Sequence, residues 1–149
     1  MTDGSAAHEA TARGLGVLRR LKRPLLYIMS VGYVVAGVLH FVRPHLYVQI
    51  VPPLLPAPLV FVYLSGLAEV AVGLGLLYPP TRQAAAWATI ALLVAVFPAN
   101  VYMATSGVAV QGTPFGTLDP TPAERWARLP LQVVLVAWAW WYTRPMPDG

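Results

Sequence analysis

Cysteine is absent from this 149-residue chain, so disulfides, thiolate nucleophiles and thiolate metal sites are excluded. Charge is scarce too: Asp, Glu, Lys and Arg make up 11% of the sequence, where soluble domains carry about 25%. The chain also lacks a phosphate-binding glycine loop, a serine nucleophile motif and a three-ligand metal pattern. Histidine occurs three times. His8 lies in a polar N-terminal stretch, and His40 and His45 are too close along one segment to sandwich a haem. Neither haem nor metal is therefore expected on this chain alone. The ten basic against six acidic residues do not point to nucleic acid. Arg13, Arg19, Arg20, Lys22 and Arg23 all stand just before an apolar run, and such a block marks the cytoplasmic flank of a membrane span.

What the chain has in abundance is apolar sequence: 57% of residues are hydrophobic, mean hydropathy is +0.60, and there is room for one domain. The expected architecture is all-α, a polytopic membrane four-helix bundle with up-down-up-down topology. Residues 1–23 read as a mobile basic tail, 24–143 as the transmembrane domain and 144–149 as a C-terminal tail. Spans are expected at about 25–42, 58–78, 83–105 and 122–142. The Arg19-Arg20 pair has flanks that fit an export signal poorly, and no cleavage pattern follows the first apolar run, so an uncleaved chain is expected. Alanine, proline, arginine and tryptophan usage suggests a GC-rich bacterial genome. No internal repeat stands out.

Pro24 suits a first helical turn, and Gly32, Ala36 and Gly37 allow close helix contact. Tyr33, Gly37 and His40 share a face. Between Pro44 and Pro58 the chain is apolar but broken by Pro52, Pro53 and Pro56, which predicts an ordered cap lying in the interface or over the bundle mouth. The next span carries Ser65, Glu69 and Gly73 on one face and stops at Pro79-Pro80. In the third span Pro98 frees the carbonyl of Val94 beside Asn100, which predicts a kink. A Gly-, Thr- and Pro-rich loop follows from Ser106 to Pro120. Thr121, Pro122 and Glu124 form a helix-start signal, a capping box with proline in the first turn. Trp138, Trp140, Trp141 and Tyr142 read as an aromatic belt. With four spans, the five N-terminal basic residues join Arg82 and Arg144 on one side, against Arg43, Arg125 and Arg128 on the other. The positive-inside rule then puts both termini in the cytoplasm of a multi-pass protein of the bacterial inner membrane.

The focus of the reading is Glu69. A lone carboxyl at mid-membrane costs roughly 3 kcal/mol on insertion scales and should face other helices. His40, Asn100 and Gln132 each sit in another span toward the outer side, with Arg43 and Arg128 at the mouth. Glu69 and His40 are the candidates for proton transfer, and all six residues are candidates for ligand binding. Structural alternatives exist for each: His40 can bond a carbonyl near a helix end, Asn100 and Gln132 can be interhelical glue, and Tyr33, Tyr63 and Tyr102 can be packing residues.

The runs GVLHFVRPHLYVQIVPPLLP, VYLSGLAEVAVGLGLLYPPTRQAAA, VFPANVYMA and RLPLQ together resemble the DoxX-like family of small bacterial membrane proteins, over roughly residues 28–142. The resemblance implies a four-helix membrane bundle. It maps onto His40 and Pro44, onto Pro53 and Pro56, onto Gly66 and Glu69, onto Pro98 and Asn100, and onto Arg128, Pro130 and Gln132. The family takes its name from a subunit of an archaeal thiosulfate:quinone oxidoreductase. A quinone-like ligand, a redox partner subunit or a homo-oligomer, and contact with membrane lipid are the expectations that follow. The alternative is a non-catalytic assembly or scaffold protein whose buried polar residues only fix helix packing.

Overall fold

The computed structural model describes residues 3–114 and 116–145, and for residues 3–15 and 17–19 the backbone alone. Residues 1 and 2 of the expected N-terminal tail and 146–149 of the expected C-terminal tail lie outside the described residues. The elements are α1 (Asp3–Val42), α2 (Pro44–Val48), α3 (Pro58–Leu77), α4 (Arg82–Ser106), β1 (Val110–Thr113), β2 (Gly116–Leu118) and α5 (Pro122–Trp141).

Helix α1 differs from expectation at its start. It runs through Pro24 back to Asp3, because the stretch before Pro24 is rich in Ala, Leu, Arg and Lys, all good helix formers. The polarity of that stretch had suggested a tail. Helix α3 begins on Pro58, whose missing N–H costs nothing in a first turn, and ends before Pro79. Its cap Ala57 takes a left-handed conformation (φ 52°), an uncommon one for alanine, squeezed between Pro56 and Pro58. Helix α4 continues past Pro98 and stops at Gly107, whose φ of 68° supplies the left-handed turn that ends helices. The capping box at Thr121 forms as the sequence indicates: Glu124 N–H donates to Thr121 Oγ1, and Thr121 N–H donates to Glu124 Oε2 at 2.7 Å.

Among the described residues, three helical stretches are long and apolar enough to cross a membrane: Arg20–Val42, Pro58–Leu77 and Arg82–Ser106. In α5 the charges of Glu124, Arg125 and Arg128 fill the first turns and shorten its apolar part. The loop after α4 departs from an all-α fold, since β1 and β2 pair there as a small antiparallel hairpin.

Successive long helices run antiparallel and pack in chain order, α1 on α3, α3 on α4 and α4 on α5. The α1–α3 contact is built on glycine. A Cβ at Gly37 would stand 2.5 Å from Gly66 O, and one at Gly73 would stand 2.8 Å from Ser30 O. Ser30 and Gly37 are seven residues apart, as are Gly66 and Gly73, so the close contact repeats each heptad along two nearly parallel axes. Gly32, by contrast, faces open space and takes no part in this contact.

The buried core lies toward one end. Leu26 and Met29 meet Leu76, Ala85, Ala86, Ala139 and Tyr142 there. Tyr142 is a core residue, 1% exposed, because its hydroxyl donates to Lys22 O at 2.9 Å; only its tryptophan neighbours can serve in an aromatic belt. Elsewhere the helices turn large apolar side chains outward. Ile28, Leu64, Leu67, Val94 and Val133 are all exposed, a surface suited to lipid rather than water.

Candidate functional site

His40 and Glu69 meet because antiparallel helices aim their side chains at each other. Helical side chains lean toward their own N-terminus, so His40 leans down α1 while Glu69 leans the opposite way down α3. The Gly37–Gly66 crossing lets the backbones close in, and a Cβ at Gly66 would stand 2.5 Å from His40 Cβ. His40 Nδ1 then lies 3.3 Å from Glu69 Oε2, with the side chains 9% and 16% exposed.

The hydrogen bonding of this pair is one-sided. Nδ1–H donates to Ala36 O at 2.8 Å, and since a carbonyl only accepts, the hydrogen must sit on Nδ1. In the neutral ring Nε2 is therefore the acceptor nitrogen. Glu69 Oε2 is buried and, among the described residues, has no hydrogen-bond partner. A buried oxygen left in this way is a free acceptor. His40 thus satisfies a carbonyl near its helix end and also stands beside Glu69.

Tyr47 of α2 completes the cluster. Its ring stacks on the imidazole with centroids 3.6 Å apart and planes at 25°. Burial raises the pKa of the Tyr47 phenol above the usual value, and the nearby Glu69 carboxylate adds to the effect. Tyr47 further caps a groove of about 630 Å3 on the outward face of α1, which runs past Tyr27, Val31, Gly32 and Val35 and is almost wholly apolar.

The segment carrying Tyr47 is held by the hairpin. Gln49 Oε1 accepts from Gln111 N–H at 2.9 Å, and Gln49 Nε2 donates to Gln111 O at 3.1 Å and His45 O at 2.8 Å. Arg125 ties the base of the hairpin loop through Asp119, at 2.7 Å. The hairpin thus holds the short segment from Pro44 to Gln49 over this end.

Asn100 and Gln132 form a separate pair. Asn100 Nδ2 donates to Gln132 Oε1 at 2.7 Å, and Gln132 Nε2 donates to Leu93 O. Both amides link α4 to α5, and among the described residues no hydrogen bond joins them to His40 or Glu69. Arg43 and Arg128 are exposed, and neither donates a hydrogen bond to the four inner residues. The six candidates therefore divide into the His40–Glu69 pair, the Asn100–Gln132 pair and two surface arginines. Tyr47, Gln49 and Arg125 were missed. Only the Tyr47–His40 spacing of seven hinted at a contact, and the helix break at Arg43 hid it.

These features define a small, mainly helical protein with membrane-length apolar helices and a buried His–Glu pair under a covering loop. The chain belongs to the family described as Domain of unknown function (DUF8561), whose model matches residues 29–143. That range takes in both polar pairs. No curated protein and no solved structure matches the chain.

Proposed function

We propose that this is a DoxX-like protein crossing the bacterial cytoplasmic membrane four times, with both termini cytoplasmic, that binds a small, partly apolar molecule at the His40–Glu69 pair. The ligand is quinone-like in this reading, bound in its reduced quinol form: a hydroxyl that donates to Glu69, on an apolar body that fits the groove beside Tyr47. The protein either works alone, as a homo-oligomer, or as the membrane subunit of a redox-linked complex. Glu69 Oε2 carries the proposal, being a buried acceptor without a donor 3.3 Å from an imidazole nitrogen already committed to a carbonyl. A ligand O–H or N–H would satisfy it.

A fourth crossing by α5 is supported by its far end. Tyr142 reaches Lys22 of α1, and Thr143 O accepts from Gln83 Nε2 at 2.7 Å, so α5 ends level with the starts of the first and third spans. The orientation rests on the basic residues gathered at that end.

The scaffold reading is favoured by one observation: Asn100 and Gln132 spend their amides on each other and on Leu93, as interhelical glue would. They serve packing, while His40 and Glu69 serve the ligand. Titration of decylubiquinol, which carries the O–H donors that the oxidised quinone lacks, into the purified full chain, followed by tryptophan fluorescence, separates the readings. Binding by wild type that weakens at least tenfold in Glu69→Gln and His40→Ala, with helicity intact by circular dichroism, supports the site. Binding unchanged in both variants, with stability lowered, favours the scaffold. No binding by wild type rejects the quinone-like ligand.

A further inference from the structure

The end of the protein opposite the His–Glu pair holds an arrangement that packing alone does not explain. Lys22 is 9% exposed, yet its ammonium has no hydrogen-bond acceptor among the described residues. Its Nζ lies 5.7 Å from the Trp141 ring centroid and 5.8 Å from that of Tyr142. Arg144 stacks its guanidinium 4.3 Å from the centroid of the Trp140 ring, next in the chain to the Trp141 ring that Lys22 faces. Arg20 and Arg23 are exposed nearby on α1. Arg82 is at this end too, but it is used: it donates to Leu76 O at 3.0 Å and Leu77 O at 3.5 Å, closing the end of α3.

Among the described residues, no carboxylate answers these charges. The acidic residues with described side chains are Glu69, Asp119 and Glu124; Glu69 is inside the helix pair, and the other two cap and brace the start of α5 at the opposite end. Ring faces attract cations, but they supply no acceptor for an ammonium's three donors or for a guanidinium's fork.

We infer that Lys22 and Arg144 form a binding site for a phosphate group, supplied by the headgroup of an anionic phospholipid. The placement fits the chemistry. Lys22 stands at the start of one membrane-length stretch and Arg82 at the start of another, so this end lies at a membrane surface whichever way the protein is inserted. The tryptophan rings are at the depth where indoles favour the headgroup region. The hydroxyl of Tyr142 holds the Lys22 backbone, fixing where the ammonium emerges. Arg144 offers a planar pair of donors matched to two phosphate oxygens, and Lys22 a point charge beside it. The site shares no residue with the His40–Glu69 proposal and stands without it.

The test uses the full chain in phosphatidylcholine nanodiscs, with and without phosphatidylglycerol, and reads the unfolding temperature. Phosphatidylglycerol is expected to raise it in wild type and equally in Arg20→Gln/Arg23→Gln, which removes two charges outside the site. The rise should fall by at least half in Lys22→Gln/Arg144→Gln. Arg144→Gln alone, at an exposed position, should show a partial loss and keeps the test decisive if the double variant does not fold. An equal rise in every variant, or no rise in wild type, would overturn the site. A rise reproduced by inorganic phosphate in pure phosphatidylcholine would overturn the lipid headgroup as its occupant.

Discussion

Replacing Gly66 by alanine tests the helix contact on which the His–Glu pair depends. The new Cβ would stand 2.5 Å from His40 Cβ, 2.9 Å from Gly37 O and 3.1 Å from Phe41 Cε2. The first two neighbours are a Cβ and a backbone oxygen, which cannot rotate away, so α1 and α3 must separate. Overpacking against two such atoms falls in the upper part of the usual range, about 2–3 kcal/mol, and alanine's better helix propensity returns about 1 kcal/mol. A net loss of about 1–2 kcal/mol follows, which at about 2–4 °C per kcal/mol lowers the midpoint by several degrees. Gly32→Ala is the control, since nothing lies within 4 Å of its Cβ position and only the propensity gain applies. Thermal unfolding of both variants in the same detergent is the assay. A Gly66→Ala protein as stable as wild type, or a Gly32→Ala protein equally destabilised, would refute the close crossing.

Other expectations follow from single contacts. Asn100→Ala strips Gln132 Oε1 of its donor and should lower stability by about 1 kcal/mol, with no further loss when made in a Gln132→Leu background, as a double-mutant cycle would register. Tyr142→Phe removes the hydroxyl donated to Lys22 O and should cost about 1 kcal/mol in thermal unfolding, with the membrane end of α1 opening first by hydrogen exchange. The Glu124 carboxyl has a pKa below its ordinary value because Thr121 donates to it through side chain and backbone. Its contribution is therefore complete above its unfolded pKa and fades as pH falls through the lower, folded one. Amide protection factors at the start of α5, corrected for the intrinsic pH dependence of exchange, should fall on acidification in wild type and vary less with pH in Glu124→Gln.

Helix positions could be read from the sequence because proline and glycine punctuate it. Pro58, Pro79 and Gly107 bound α3 and α4 within a residue or two of expectation, and Thr121 with Glu124 marked the start of α5. The hairpin was hidden, since a loop rich in Gly, Thr and Pro carries too few residues to show strand alternation. The start of α1 was misplaced because polarity was weighed above propensity. For the site, a buried acid and a histidine on glycine-bearing faces sufficed to bring His40 and Glu69 together, their meeting being a matter of helix periodicity. Which amide faces which helix was not legible: Asn100 and Gln132 turn to each other, and that depends on the rotation of α4 and α5, which a span-by-span depth count does not fix. Tyr47 lay beyond reach for a related reason, as its position depends on the path of an irregular segment.

The claim on which the rest depends is that the buried oxygen of Glu69 awaits a donor from a bound molecule. Native mass spectrometry of the gently purified full chain, beside Glu69→Gln, tests it most directly. The account predicts a small amphiphilic molecule retained by wild type and lost from the variant; equal retention by both, or wild type free of any such adduct, would contradict it.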